Sequence, residues 1–466
     1  MIAGTDSIEV PATAAAPRVE KLLWVFMISF AFDYRASQAR EAAGGAGIDQ
    51  LLFLAGAIFS TAGILLLGWR HLLVRPGAWL ILGWGTFLAF MGANALLQGV
   101  APGRAVRIIL PLCLCLAGMM NAHIAGCAGV RPSRIVAPVF AAACINVIWR
   151  IFHGFVFKGV TLETARVEVQ SSANNWIAAW IGCALLLRSR FHWLLPLAIG
   201  VLCFGILITV TRSLLFPVMA SALASSLSFA LGTRWGIFQP SDAVKRLWPV
   251  LVICFLAALG LGIAAVAEPL LIERWNERLF HHASDRNTTE DISYLTRRAE
   301  ADGIFEILNR DPVHYLHGKG IGASYYWHPS YMPAIHLVYP PDEEIGSDVW
   351  FAGHSTWTYS LFSGGLIGLL AHLALIGGVM AASLAAARAN ASDPGPDQWL
   401  AFLPFVAACC LLSETLTSNP FDERLAAMIF GVMAGLSQSF LVRASWIHAG
   451  PRYPGYQRRP DGQPIH

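Results

Sequence analysis

The chain has 466 residues, of which 56% are hydrophobic and only 13% are charged. Soluble domains carry about 25% charged residues. This composition, with a mean hydropathy of +0.56, therefore excludes a water-soluble protein and predicts one that lies in a lipid bilayer. The formal net charge of +3 is too small to indicate nucleic-acid binding. The nine cysteines all fall in or beside apolar stretches, which favours buried packing over a metal or redox site.

Apolar runs that are long enough to cross a membrane recur along the whole chain. A spanning helix needs about 20 apolar residues, because no backbone polar group can stay unpaired in hydrocarbon. The sequence predicts an all-α polytopic membrane protein with about twelve spans, of which the first and sixth are short: 21–33, 48–69, 77–97, 106–126, 134–155, 175–188, 191–210, 213–232, 247–267, 356–382, 399–417 and 425–442. The first run lacks a small-residue cleavage site, so we interpret it as an anchor rather than a signal peptide.

Lys and Arg side chains are unevenly distributed between the two sets of loops. The loops on the side of the two termini hold about twice as many as the opposite short loops. Because positively charged loops stay in the cytoplasm, both termini are predicted to be cytoplasmic. The chain then divides into spans 1–9 (residues 1–267), an outer segment (268–355), spans 10–12 (356–442) and a cytoplasmic tail (443–466).

The outer segment is far longer than an ordinary connection and is rich in Trp, Tyr, Ile and Leu. Loops of such length are usually functional or disordered, and this composition argues against disorder. A capping-box pattern at 288–291 and apolar residues at helical spacing from Tyr294 to Leu308 predict a helix that stops at Asp311-Pro312. A tight glycine turn follows at 318–322. It is not a P-loop, since its lysine lies between glycines. We expect a small, partly helical lid on the outer face of the bundle.

Three arginines are candidates for binding a phosphate group at the outer membrane boundary. Arg212 lies between two apolar runs, where an arginine is either functional or snorkels to the interface. Arg297 and Arg298 lie in the predicted outer helix, one on its packed side and the other toward water. A planar guanidinium binds phosphate oxygens with two hydrogen bonds. The alternative is an ordinary solvated charge run that includes Glu300 and Asp302.

A histidine and a short outer loop supply further candidates. His354 immediately precedes the tenth span and is the best placed histidine for proton transfer at the membrane surface, although a structural role is the alternative. Arg166, Asn174 and Asn175 belong to the loop before the sixth span, where they either contact a sugar or phosphate or only solvate the loop. Arg150, inside the fifth run, is either a buried functional charge or a snorkelling one. The sequence predicts no metal site.

Four motifs occur in an order and spacing that are typical of one protein family. They are the stretch from Gly353 to Gly368, with a histidine and then Gly-Leu-Ile-Gly; Arg297 before Pro312 and the Gly-x-Gly turn at 318–322; Thr211-Arg212-Ser213; and Arg166 followed by Asn174 and Asn175. Over about residues 160–440 the chain resembles the O-antigen ligase and polymerase superfamily of bacterial envelope glycosyltransferases. It departs from the family pattern at Ser355, where asparagine is usual, and in a longer stretch from Ser324 to Phe351.

The resemblance implies a C-type glycosyltransferase fold (GT-C) in the bacterial inner membrane, with its active site at the periplasmic face. It implies transfer of a preassembled glycan from undecaprenyl diphosphate to lipid A-core. On this basis, Arg212 and Arg297 hold the diphosphate leaving group and His354 is the base, while Arg298 and Arg166 contribute less. Fixed arginines near low-dielectric lipid suit the charge that develops on the diphosphate. The scheme requires no cofactor, metal, ATP or nucleotide sugar.

Two other functions stay open at this stage. A polymerase of the same superfamily would use the same donor site and would extend a lipid-linked repeat unit. A secondary transporter is consistent with twelve spans. Transporters, however, place ionisable residues near the bilayer midplane, in broken helices of two matching repeats. Here the notable charges cluster at one membrane face, so transport is the less favoured prediction.

Overall fold

The protein is a bundle of apolar helices with a polar segment packed on one end. The computed structural model describes residues 13–34, 47–74, 77–161, 169–188, 192–209, 211–239, 241, 262, 273, 275–276, 292–337, 349–391 and 397–449. Its α-helices and strands are α1 (Ala16–Ser29), α2 (Ile48–Gly68), α3 (Trp79–Leu97), α4 (Pro102–Cys127), α5 (Pro132–Phe157), α6 (Ala173–Leu186), α7 (Leu195–Thr209), α8 (Leu215–Arg234), α9 (Ile292–Arg310), α10 (His314–His317), β1 (Tyr325–Tyr326), α11 (Met332–His336), β2 (Val349–Trp350), α12 (Thr356–Ala389), α13 (Leu403–Thr415) and α14 (Arg424–Ala449).

Eight helices in these described ranges are long and apolar enough to cross a membrane: α2, α3, α4, α5, α8, α12, α13 with the 3₁₀ turn before it, and α14. The chain is therefore an all-α, multi-pass protein of the lipid bilayer. The apolar helices α6 and α7 are shorter, with 14 and 15 residues, and α1 has 14. Only residue 262 of the predicted ninth span, 247–267, is among the described residues, so the count of about twelve stays a prediction.

The last helix lies at the centre of the bundle. Gly431 and Gly435 form a Gly-x-x-x-Gly pattern on α14, and Gly118 faces them from α4. A methyl group on any of the three would collide with the backbone of the other helix. Small residues let two membrane helices approach this closely, where dispersion contacts hold them together. The pair α4–α14 therefore forms the core around which the other helices pack.

The polar segment between α8 and α12 packs on the end of the bundle that also holds the loops α3–α4 and α13–α14, which we call the upper end. Asn94 of α3 donates a hydrogen bond to the carbonyl of His317 over 2.6 Å. The backbone N–H groups of Lys319 and Gly320 donate to Phe362 and Ser363 of α12 over 2.7 and 3.1 Å. The segment is thus held between two membrane helices that lie on either side of it in the chain.

Helix α9 and the glycine turn form where the sequence predicts them. α9 ends at Arg310, directly before Asp311-Pro312, because proline cannot donate the next helical hydrogen bond. Gly318, Gly320 and Gly322 all have positive φ, which side chains with a Cβ rarely adopt. Beside this turn, Gly365 interrupts α12 with φ 62° and ψ −155°. The capping-box residues 288–291 lie outside the described ranges, and so do 338–348 of the predicted lid.

Candidate functional site

Helix α9 turns an apolar face toward the bundle, and one carboxylate lies on that face. Leu295, Ala299, Ile304 and Leu308 are buried there. The side chain of Glu300 shares this face and is 0% exposed. The interpretation of Glu300 as part of a solvated charge run is therefore wrong. Burying a carboxylate costs free energy unless it is hydrogen-bonded. The hydrogen-bond partners of Glu300 therefore identify the part of the chain that it positions.

Among the described residues, the hydrogen-bond partners of Glu300 are His354 and the residue after it. The Nδ1 atom of His354 lies 3.0 Å from one carboxylate oxygen. The backbone N–H of His354 donates to both oxygens over 3.1 Å, and the N–H of Ser355 donates over 3.3 Å. These bonds fix the start of α12 against α9. The side chain of His354 nevertheless stays 39% exposed, so one edge of its ring faces the outside.

Two tryptophans enclose the histidine ring on the side of the protein. Trp327 and Trp350 stack with ring centroids 4.9 Å apart, and Trp350 meets the His354 ring edge-on at 4.5 Å. The β1–β2 pair places Trp350 opposite Tyr325. Burial, and then the nearby Glu300 carboxylate, raise the pKa of the Tyr325 phenol well above its ordinary value. This phenol is therefore neutral and donates to the Ala352 carbonyl over 2.9 Å.

The two outer arginines point to different surroundings, as their helical spacing predicts. Arg297 lies one helical turn before Glu300 and donates from Nη2 to the carbonyl of Thr417, in the loop after α13. Arg298 is exposed and contacts Asp302 over 3.8 Å. Its guanidinium also lies 5.8 Å from the centre of the Tyr331 ring. Arg297 therefore belongs to the same cluster as His354, whereas Arg298 faces away from it.

The loop at 416–419 connects Arg297 with the start of α12. Thr417 accepts from Arg297, and the hydroxyl of Thr356 donates to the carbonyl of Ser418 over 3.1 Å. Asn419 donates from its side chain to the Gly353 carbonyl over 3.2 Å. Three separate parts of the chain thus converge here: α9, the start of α12 and the α13–α14 loop. We call Arg297, Glu300, His354 and this loop the upper-end cluster.

The backbone of Arg212 lies at the same end of the bundle. It opens a 3₁₀ turn, Arg212–Leu214, between α7 and α8. A Cβ atom on Gly205 in α7 would lie 2.6 Å from the Asn174 side chain, and Cys410 in α13 donates from its thiol to the Pro217 carbonyl of α8 over 3.3 Å. Both neighbours lie near the upper ends of their helices. The side chain of Arg212 and all of Arg166 lie outside the described part of the chain.

Asn174 and Asn175 lie in the first turn of α6 rather than in a solvated loop, and both are buried. Asn175 donates to the carboxylate of Glu414 in α13. The hydroxyl of Ser172 donates to the same carboxylate over 2.5 Å, and Asn174 donates to the Ser171 carbonyl over 3.1 Å. The expectation that these asparagines solvate the loop is therefore wrong. The structure does not place them beside Arg297 or His354, so their proposed contact with substrate stays a prediction.

Two arginine–carboxylate pairs lie at the start of α14. Arg150 in α5 is 6% exposed and forms an ion pair with Glu423, which also accepts from the backbone N–H of Ser172 over 2.8 Å. Arg424 lies 3.4 Å from Asp33. Arg150 therefore does not snorkel to water. Desolvated charges are compensated only by close partners, so these contacts fix α5, the start of α6 and the segment after α1 against the start of α14.

Two fully buried acids of the described part of the chain, Glu300 and Glu414, were not predicted as site residues. Both stand at apolar-face positions of their helices: Glu300 is one turn before Ile304, and Glu414 is one turn after Cys410. An acidic residue on the packed side of an amphipathic helix is the signal that would have identified them. From the run of charges alone, Glu300 is indistinguishable from its partly exposed neighbour Asp302.

Comparison with known proteins leaves the family open. No protein-family model matches this chain, and a search of curated proteins finds no match either. Within the described residues, no group of three or more His, Cys, Asp or Glu side chains is arranged to hold a metal ion.

The upper-end cluster combines a cation with a titratable ring at the edge of the apolar bundle. Arg297 presents a guanidinium, whose planar fork suits phosphate and carboxylate oxygens. His354 presents a ring nitrogen on its exposed edge, since Nδ1 faces Glu300. Such a pair can stabilise an anionic leaving group and take up a proton from a hydroxyl.

Proposed function

We propose that this protein is an O-antigen ligase-like glycosyltransferase of the bacterial inner membrane. It would move a preassembled glycan from undecaprenyl diphosphate to lipid A-core at the periplasmic face. The observation that carries the proposal is the upper-end cluster, in which α9 and the start of α12 hold Arg297 and His354 within one hydrogen-bonded group. The family resemblance of the sequence supports the donor and the acceptor.

The reaction assigns a separate task to each side chain. The acceptor hydroxyl attacks the anomeric carbon, and its proton passes to the outward ring nitrogen of His354. The bond between that carbon and the diphosphate oxygen breaks, and the diphosphate leaves with the electron pair. Arg297, together with Arg212, stabilises the charge that develops on it. Undecaprenyl diphosphate is already an activated leaving group, so no further energy source is required.

The depth of the cluster suits a lipid-linked substrate. A lipid diphosphate has its phosphates at the interface and its chain in the hydrocarbon, so it presents the sugar just outside the membrane. His354 lies two residues before the first residue of the spanning helix α12, and Thr417 lies two residues after the end of α13. We therefore expect both residues to lie on the aqueous side of the interface, where the diphosphate and its sugar would be.

The experiment is transfer by purified protein in detergent or liposomes. The donor is an undecaprenyl-diphosphate-linked oligosaccharide, and the acceptor is either lipid A-core or a second lipid-linked oligosaccharide. Product on lipid A-core supports the ligase. Extension of the second oligosaccharide instead identifies a polymerase of the same superfamily. No glycan transfer to either acceptor, together with proton-gradient-driven uptake of a solute, would identify a transporter.

Three variants test the site within the same assay. Arg212→Ala, Arg297→Ala and His354→Ala should each abolish transfer while membrane insertion and thermal stability stay near wild type. The matched control is Arg310→Ala, because Arg310 lies on the same outer helix, is exposed, and pairs with Glu306 over 2.7 Å. Near-normal transfer by the three variants would refute the site, whatever the acceptor.

A further inference from the structure

Glu300 and His354 are joined more completely than a chance contact between an acid and a histidine. The carboxylate of Glu300 accepts from two consecutive backbone N–H groups and faces Nδ1 of the ring at 3.0 Å. Backbone N–H groups can only donate, so they hold both oxygens as acceptors. The acid thus fixes the position of the backbone as well as the ring.

The same contact determines which ring nitrogen carries the hydrogen. An ionised carboxylate has no hydrogen to donate, so a hydrogen bond to Nδ1 requires the hydrogen on Nδ1. In the neutral ring, Nε2 then keeps a free lone pair. We propose that Glu300 is the positioning residue that holds His354 as the Nδ1–H tautomer and turns Nε2 outward as the base. This rests on the proposed function only for the use of Nε2 in transfer.

No cation among the described contacts of Glu300 competes with the ring. Tyr325 and Tyr359 lie close enough to Glu300 to feel its charge, and their phenols donate to the carbonyls of Ala352 and Phe351 instead. On α9 itself, Arg297 is turned to Thr417. Trp327 and Trp350 cover the ring with apolar surface. The remaining exposed edge of His354 is where a substrate hydroxyl would lie.

The arrangement is similar to an acid–histidine pair, in which the acid orients the ring and stabilises the imidazolium that forms. In a serine protease, replacing the acid by its amide keeps the geometry but lowers kcat by about 10⁴-fold, because the ring takes the wrong tautomer. Glu300→Gln should act in the same way. The glutamine amide would donate to Nδ1, so the hydrogen would move to Nε2 and the base would be lost.

The test measures the tautomer and the reaction separately. In protein labelled with ¹⁵N-histidine, the His354 signals are assigned by their loss in His354→Ala. In its neutral form the wild-type ring should show a protonated Nδ1 and an unprotonated Nε2, and the neutral ring of Glu300→Gln should show the reverse. In the transfer assay, Glu300→Gln should lower kcat by at least about 10²-fold with little change in the donor KM, while Glu300→Asp should retain more activity than Glu300→Gln.

Two controls make each outcome decisive. Glu306→Gln changes an exposed acid on the same helix and should leave the His354 signals and kcat unchanged. A wild-type ring with its hydrogen on Nε2 overturns the inference, even if Glu300→Gln fails to fold. The expected tautomer in a protein without transfer activity would instead refute the proposed function and leave the role of Glu300 intact. Normal kcat in a folded Glu300→Gln variant overturns the catalytic part.

Discussion

The glycine turn at 318–322 should hold the polar segment between α8 and α12 on the upper end of the bundle. A substitution at Gly320 tests this directly. The φ of Gly320 is +88°, and an added Cβ atom would lie 2.9 Å from the Cα of Ala95 in α3. A left-handed conformation costs a residue with a Cβ about 1–2 kcal/mol, and overpacking against fixed backbone adds about 1–3 kcal/mol. Gly320→Ala should therefore weaken docking of the segment by about 2–5 kcal/mol.

Limited proteolysis measures that loss. Since every 1.4 kcal/mol is a factor of ten, the open population should rise by roughly 30- to 4,000-fold. Cleavage between residues 292 and 337 should accelerate accordingly when opening is fast compared with cutting. Gly159→Ala is the matched control, because its φ is +64° but nothing lies within 4 Å of an added Cβ atom. Equal cleavage rates in the two variants would mean that the turn is not packed between α3 and α12.

Three further predictions concern the charged and buried groups. Arg297→Lys should transfer glycan almost as poorly as Arg297→Ala, because an ammonium lacks the planar fork; wild-type kcat in the lysine variant would contradict this. Arg150→Met should lower the free energy of unfolding in detergent by about 3 kcal/mol, because it leaves the Glu423 carboxylate without its arginine. Adding Glu423→Gln replaces that carboxylate by a neutral amide, so the double variant should recover part of the lost stability. Asn175→Ala should lower the free energy of unfolding by about 1–3 kcal/mol, because Glu414 loses a hydrogen-bond donor. An unchanged thermal unfolding curve would contradict this and would mean that the asparagine is solvated.

The membrane class and the outer helix were predictable because each has a strong periodic or compositional signal. Apolar runs are long, and Asp311-Pro312 is a clear stop, so α9 ends where the sequence indicates. The glycine turn was also predictable, since three glycines in five residues permit positive φ. These features depend on local sequence alone.

The partners of the buried acids could not be predicted from local sequence. Glu300 and His354 are 54 residues apart, and Asn175 and Glu414 are 239 apart. Whether an acid on a helix is buried depends on which element covers it, and that is decided by tertiary packing. Charged residues are almost never fully buried without partners, so the local sequence predicts that the Glu300 side chain is exposed to solvent. The packing of α9 on the start of α12 reversed it.

The hydrogen bonds beside the kink at Gly365 limit the order in which the protein can assemble. The carbonyl groups of Phe362 and Ser363, just before it, receive the N–H groups of Lys319 and Gly320, while Asn94 binds His317 from the other side across 223 residues. Contacts this distant in the chain form late, because a long loop must close first. Synthesis of the polar segment is complete before α12 exists to receive it. Its final docking, and with it the joining of Glu300 to His354, must therefore wait until α12 has entered the bilayer.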